Sequence, residues 1–210
     1  MTKRDFDTAA KTWDLNEARV RVGTSIADAM VAVLGLSRNE TVLDYGTGTG
    51  IVALRMQPLV QQVIAADSSR GMLNVLDDKL KASGPTNVRT VILDLERNDV
   101  AADDIHPDVV VSAMTLHHIA DTARFAAVLY GLLPTGGRIA IADLDTESGD
   151  FHSDNTGVEH FGFDREELSR VFSTVGFKAI QLDTACKFVR PTADRGEKSF
   201  PIFLLSARKA

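Results

Sequence analysis

Short apolar runs alternate with helix-spaced apolar positions along most of this chain. Thr41-Val42-Leu43-Asp44-Tyr45 is an apolar run that closes on glycines, and it predicts a buried strand. Gln62 to Asp67, Val88 to Leu93, Pro107 to Ser112 and Arg138 to Asp143 repeat that form. The turn signal Pro134-Thr135-Gly136-Gly137 introduces the last of them. Between the runs, Gly71 to Ser83 carries Met72, Leu73, Leu76 and Leu80 at helical spacing and stops at Gly84-Pro85. Thr122 to Leu133 spaces Phe125, Val128, Leu129 and Leu132 in the same way. Near-continuous apolar strands separated by helices predict a mainly parallel sheet covered on both faces. Right-handed crossovers then make it a doubly wound α/β sandwich.

Two regions frame this core. Residues 8 to 36 read as helical, with Ile26, Met30, Val33 and Leu34 on one face and Gly35 near the end. Near the other end, Asp164 to Glu167 has a capping-box pattern that opens a helix running through Phe172 to Gly176. Two strands follow, Phe177 to Leu182 and Pro201 to Ala207, joined by the polar stretch Arg190 to Ser199. They are set to pair as an antiparallel hairpin, giving a seven-stranded, mostly parallel sheet. At 210 residues the chain fits one domain. Within it we distinguish an amino-terminal helical arm, 1–36, from a ligand-binding body, 37–210.

Composition narrows the setting. With 44% hydrophobic and 25% charged residues the chain is ordinary for a soluble globular protein. A net charge of −6 argues against a general nucleic-acid footprint. Met1 to Asp7 lacks the apolar core of a signal peptide. No run reaches the roughly 18 apolar residues that a spanning helix needs. The one cysteine, Cys186, has no intramolecular partner, which points to a reducing compartment, and its apolar flanks suit a packed small side chain. The expectation is a cytosolic protein with neither a membrane nor a nucleic-acid partner. No residue pattern assigns an oligomeric state.

Candidate chemistry centres on Gly46-Thr47-Gly48-Thr49-Gly50. A strand that ends in glycines and feeds a helix exposes backbone N–H groups and admits close approach of a ligand. Asp67 ends the second strand, which a parallel sheet places beside that turn, where a carboxylate accepts both ribose hydroxyls of a nucleoside. A dinucleotide fingerprint wants G-x-G-x-x-G, but here Ile51 stands where the third glycine would fall. Asp44 lies two positions before the first glycine, and a carboxylate there suits a ligand's ammonium better than a pyrophosphate.

These residues resemble the motifs of class I S-adenosylmethionine-dependent methyltransferases, in order and over nearly the whole chain from Thr41 onward. Leu43 to Gly50 resembles the first motif, Asp67 with Ser68 and Met72 the second, and Leu93-Asp94-Leu95 the third. Ser112 to Ile119 resembles the segment after strand four, and Leu133 to Arg138 the lead into strand five. His160 to Asp164, through Val175 to Phe177, resembles the late substrate-side segment. The resemblance implies S-adenosylmethionine as cofactor. Tyr45, Gly46, Gly48 and Gly50 would form the turn around its methionine part, and Asp44 would support the ammonium. Asp67 and Ser68 would serve the ribose, Met72 and Leu95 would flank the adenine, and Asp94 would accept from its exocyclic amine. Ala113 and Met114 would lie near the sulfonium. Many relatives carry cysteine where Thr47 stands, a change that leaves the backbone geometry intact. Phe6 to Asp14 resembles the arm that folds over the cofactor in many small-molecule methyltransferases; Trp13 either covers that site or staples the first helix to the core.

Methyl transfer from a sulfonium is an in-line displacement, so alignment of the acceptor is the main task. A base is needed only when the acceptor keeps a proton. His117 follows strand four at the carboxyl edge of the sheet and is the candidate for acid–base work or substrate contact; His118 is the weaker one. Alternatively these histidines begin a helix or cap the pocket. Asp145 to Phe163, acidic and bearing His152 and His160, has the length of a lid, or is a solvated connector. His152, Asp154 and His160 lack compact zinc spacing, so no metal is expected. The sequence therefore points to transfer of a methyl group to a small organic acceptor. An inactive cofactor-binding protein and an NAD(P)-dependent oxidoreductase are the alternatives.

Overall fold

The structure, a computed structural model, describes residues 4–96, 105–191 and 196–210. Five strands run parallel: β1 (Thr41–Tyr45), β2 (Gln62–Asp67), β3 (Val88–Ile92), β4 (Val109–Ala113) and β5 (Arg138–Leu144). β6 (Phe177–Pro191) and β7 (Glu197–Lys209) complete one sheet in the order β3-β2-β1-β4-β5-β7-β6, with β7 antiparallel to both neighbours. The expected α/β sandwich with a terminal antiparallel hairpin is thus the observed one. The order reverses between β1 and β4, and a crevice opens at the carboxyl ends of strands where such a reversal falls.

The strands are buried on both faces because consecutive apolar residues point to opposite sides. Val42, Val63, Val109 and Ala140 face α2 (Glu17–Leu34) and α3 (Ile51–Met56) through Ile26, Met30, Ala53 and Met56. Leu43, Ile64, Val110 and Ile141 face the opposite layer, α5 (Thr122–Leu132) and α6 (Arg165–Val175), through Phe125, Leu129 and Phe172. α4 (Arg70–Ser83) packs on β2 and β3. Asp164 caps α6, its side chain accepting from the Glu167 N–H, as the capping-box pattern requires.

Two expectations change. The helix expected over residues 8–36 is split into α1 (Phe6–Ala10), a 3-10 turn at Trp13–Leu15, and α2. Asn16 supplies the break, because its side chain accepts from the Arg19 N–H and so starts a new helix. The hairpin strands are also much longer than Phe177 to Leu182 and Pro201 to Ala207, and Arg190 and Ser199 of the supposed polar connector are paired in the ladder. β6 is an edge strand, where polar residues are tolerated, so polarity misled the boundary. Residues 192–195 of that stretch lie outside the described residues. Half-buried Cys186 sits in β6 opposite Ile202 and packs against the core. Among the described residues no helix is long and apolar enough to cross a membrane.

Glycine is required where α3 begins. Gly50 adopts φ +87°, and a Cβ there would lie 2.3 Å from Leu76 Cδ1. Gly35, which ends α2 at φ +55°, has open space around it. We expect Gly35→Ala to cost only the left-handed penalty of about 1–2 kcal/mol. Gly50→Ala should cost measurably more, a difference that urea denaturation of the two variants checks.

Candidate active site

The glycine turn is built from backbone bonds. The N–H groups of Gly46 and Thr47 donate to the Ala66 carbonyl at 2.8 and 3.0 Å, binding the exit of β1 to the end of β2. The next N–H, that of Gly48, donates to Asp67 Oδ2 at 2.8 Å, and Ser69 N–H donates to Asp67 Oδ1 at 2.8 Å. One carboxylate therefore ties together the two strand exits. Gly48 has φ +55° and nothing within 4 Å of a notional Cβ, so its missing side chain leaves room on the cavity side. Burial raises the Asp67 carboxyl above its ordinary value, against the pull of these N–H bonds.

Asp44 is the more costly group. It is 1% exposed, and Thr47 Oγ1 donates to its Oδ2 at 2.6 Å. Burial pushes its pKa up to about 7, with the Asp67 charge adding to the rise and the Thr47 hydrogen bond opposing it. Among the described residues no lysine or arginine pairs with either carboxylate. A buried carboxylate facing a cavity without a cation is stabilised by a ligand that brings one. A nucleoside carrying an amino-acid ammonium fits this donor and acceptor set; a pyrophosphate does not.

The amino-terminal arm is fastened to both turns. Asp7 Oδ1 accepts from Ser69 Oγ at 2.5 Å and from Gly71 N–H at 2.7 Å. Asp14 accepts from Thr49 Oγ1 and pairs with Lys79 Nζ, each at 2.7 Å, while Lys79 also donates to the Thr49 carbonyl. The Trp13 ring lies edge-on to Phe6 with centroids 6.0 Å apart, and Phe6 meets His118 at 5.2 Å.

Beyond β4, His117 is 1% exposed. Its Nδ1 is 2.7 Å from Asp143 Oδ1, and its backbone N–H donates to Asp143 Oδ2 at 3.1 Å. Burial alone would raise Asp143, but His117 and the N–H donors hold its carboxyl below the usual range. An ionised carboxylate only accepts, so His117 Nδ1 donates to Asp143. His117 Nε2 is 3.2 Å from His152 Nε2, so one ring nitrogen donates to the other. His118 stacks against His117 and donates through Nδ1 to the Gly157 carbonyl at 2.6 Å. Burial, followed by the His117 charge, lowers His118 to about 4 and His152 to about 3. The segment from Asp145 to Phe163 is anchored here, since Glu159 and His160 both donate backbone N–H bonds to the His117 carbonyl. His160 Nε2 is engaged with the Ile119 carbonyl, and Asp154 caps Thr156, so these side chains do not converge with His152.

One cavity of about 790 Å³ joins these groups. Trp13, Asp44, Tyr45, Gly46, Gly48, Asp67, Ser68, Met72, Asp94, Ala113, Met114 and His117 all line it. Met114 does so with φ +54°, an uncommon conformation for a side-chain-bearing residue at a strand exit. Gly50 and Leu95 are not brought to the wall. Gly50 is spent on the turn into α3, and Leu95 is 3% exposed in the core, its N–H donating to the Tyr45 hydroxyl at 3.2 Å. Sequence reasoning missed Asp143, although a charged residue within an apolar strand signals a buried partner. It also missed Asp7 and Asp14, for which no local pattern exists.

The methyltransferase-domain family model matches residues 21–182, and the chain belongs to this family of class I S-adenosylmethionine-dependent methyltransferases. An uncharacterized methyltransferase of Schizosaccharomyces pombe is 31% identical over 134 residues, covering 58% of this chain and 47% of that protein. A demethylmenaquinone methyltransferase of Bacteroides fragilis is 27% identical over 150 residues, covering 67% and 59%. The chain thus spans about half the length of these curated relatives. Among solved structures, a SAM-dependent methyltransferase from Aquifex aeolicus superposes with TM-score 0.69 at 20% identity, covering 99% of this chain and 100% of that one. The Haemonchus contortus phosphoethanolamine N-methyltransferase 2 in complex with S-adenosyl-L-methionine gives TM-score 0.68 at 15% identity, covering 88% and 52%. At these identities the likeness is one of fold.

The histidine cluster sets a pH dependence. For His118 and His152 the folded pKa lies below the unfolded value near 6.5, so the unfolded chain binds protons first as pH falls. Their stabilising contribution is complete above pH 6.5 and is lost between there and about 4 and 3. Asp44 runs the other way, its contribution declining as pH rises toward about 7. Thermal unfolding of the parent chain and of His152→Gln should therefore diverge as pH drops below 6.5, with the parent losing more.

Proposed function

We propose that the chain transfers a methyl group from S-adenosylmethionine to a small organic acceptor bound in the same cavity. The observation that carries the reading is the junction of the Gly48 N–H with Asp67 beside the buried, cation-free Asp44. Asp44 takes the ammonium, Asp67 the ribose hydroxyls and Asp94 the exocyclic amine, with Met72 against the adenine. The cofactor supplies an electrophilic methyl group on a sulfonium sulfur. Residues 1–36 serve as the arm, with Trp13 over the site, and 37–210 as the body; the bonds from Asp7 and Asp14 to the two turns support the covering role of the part before α2, while α2 itself packs on the sheet. The name of the Bacteroides relative, a demethylmenaquinone methyltransferase, supports a small molecule rather than a nucleic acid as acceptor. The unpaired Cys186 supports a cytosolic setting.

Holding the acceptor in line is the chain's largest contribution, since orientation alone is worth roughly 7–11 kcal/mol. For an acceptor that loses a proton, Asp143 holds the His117 Nδ1 proton and so leaves Nε2 as the basic nitrogen, which takes the acceptor's proton once the His152 ring has turned away from it.

Calorimetry with S-adenosylmethionine and S-adenosylhomocysteine should show saturable binding, weakened about tenfold to a hundredfold or more in Asp67→Ala, with circular dichroism as the folding control. Failure of both ligands to bind the folded chain would sink the proposal. Burial pushes the Asp44 pKa up to about 7, so the free chain keeps a proton there near neutral pH that binding of the ammonium should release. Titrations in buffers of differing ionisation heat measure that release, and affinity should rise as pH increases through 7. With an acceptor identified by radiolabel transfer in a metabolite extract, His117→Asn should lower kcat by about 10²–10⁴ if a proton is lost. An unchanged kcat assigns His117 to shaping the pocket alone.

A further inference from the structure

The cavity is lined by charges of both signs. Beside Asp44, Asp67 and other carboxylates stand Arg4, Arg19 and Arg190, and Arg19 lies within the field of the other two. Three guanidinium groups on one wall stand out in a chain of net charge −6. Each is placed by an aromatic ring instead of a carboxylate: Arg19 over Trp13 at 4.4 Å, Arg4 over Phe6 at 5.7 Å and Arg190 over Phe188 at 5.8 Å. Among the described residues none of the three forms an ion pair, whereas Arg21, Arg55, Arg138 and Arg165 each do. The remaining contacts are weak or neutral. Arg4 Nη1 is 3.5 Å from His152 Nδ1, and Arg190 Nη1 donates to the Asp150 carbonyl at 3.2 Å. The Asp150 carboxylate is itself taken by Lys198. Asp154 feels the Arg4 charge only from outside hydrogen-bond range, its oxygen being held by Thr156.

The three cations share one field. Partial burial, then the charges of Arg4 and Arg190, hold the Arg19 guanidinium below its ordinary value. Like charges gathered on a concave wall repel one another, and an anion bound there relieves that cost. A guanidinium stacked on a ring still presents its planar N–H fork, which matches a carboxylate or a phosphate. Phe151 and Phe188 lie beside the arginines on the same wall, their ring centroids 5.5 Å apart, and offer an apolar surface for the rest of such a molecule.

We propose that the methyl acceptor is an anion, a small molecule with a carboxylate or phosphate group on an apolar ring-sized body, recognised by Arg19 and Arg190 with Arg4 beside them. Calling that anion the methyl acceptor rests on the methyl-transfer reading; the anion site does not.

The test uses the whole chain saturated with S-adenosylhomocysteine, titrated calorimetrically with benzoate, phenyl phosphate and neutral benzamide. One of the anions should bind about tenfold to a hundredfold more tightly than benzamide, the worth of a charge-assisted hydrogen bond. The preference should shrink with added salt. Arg19→Gln and Arg190→Gln should each reduce it, the latter without changing the affinity for S-adenosylhomocysteine. Equal affinity for benzamide, no binding of either anion at millimolar concentration, or a preference that survives in the Arg19→Gln/Arg190→Gln double variant overturns the proposal. Should S-adenosylhomocysteine itself fail to bind, methyl transfer is what falls, and the same three titrations on the free chain still decide whether the wall selects anions.

Discussion

A single carboxylate carries most of the site's geometry. Asp67 accepts from Gly48 N–H on one side and Ser69 N–H on the other, so the ends of β1 and β2 cannot drift apart without stranding a half-buried carboxylate. The turn between β1 and α3 is then fixed in a left-handed path at Gly46, Gly48 and Gly50. α4 is fixed as well, because Ser69 caps it by accepting from the Met72 N–H, and Met72 is thereby brought to the cavity wall. The arm in turn binds to what Asp67 has positioned, through Asp7 to Ser69 and Gly71. Removing this one acceptor affects three segments at once.

The parts of this arrangement that are local in sequence are legible there. Apolar runs ending in glycine give the parallel strands, and the distance from Gly50 to Asp67 gives their neighbouring exits, because parallel strands bring consecutive carboxyl ends together. The capping pattern at Asp164 is likewise local and is present as read. What escapes such reading depends on chain segments far apart. Asp143 meets His117 across 26 positions, and Asp7 meets Ser69 across 62. A charge within an apolar strand signals a buried partner for Asp143 without identifying it as His117, and the residues around Asp7 give no such signal. Leu95 shows the converse: a motif position read as flanking the adenine lies in the core, off the cavity wall, with its N–H on the Tyr45 hydroxyl. The boundary of β6 is missed for another reason, since an edge strand tolerates polar residues that would exclude a central one.

The cavity gathers groups whose costs in isolation are high. Asp44 is buried with no lysine or arginine paired to it among the described residues, His118 and His152 are held neutral well below their ordinary protonation range, and Met114 occupies a left-handed conformation. Such departures cluster where a site is preorganised for something other than stability. They are tolerable because the surrounding frame is overdetermined, with Val42, Val63 and Val109 fully buried beneath the turn.

The long hairpin has a consequence for life in a crowded solution. β6 leaves a fifteen-residue strand at the open margin of the sheet, an invitation for another chain to add itself there. Two irregularities, between Lys178 and Gln181 and between Thr184 and Cys186, interrupt its ladder, and Ala179 adopts φ +50° at the first. Lys178, Asp183, Lys187 and Arg190 add charges of both signs along the same margin. Interrupted pairing and charges of both signs oppose the addition of another strand along that border. The same segment that supplies Phe188 and Arg190 to the cavity therefore also carries the features that discourage edge-to-edge pairing.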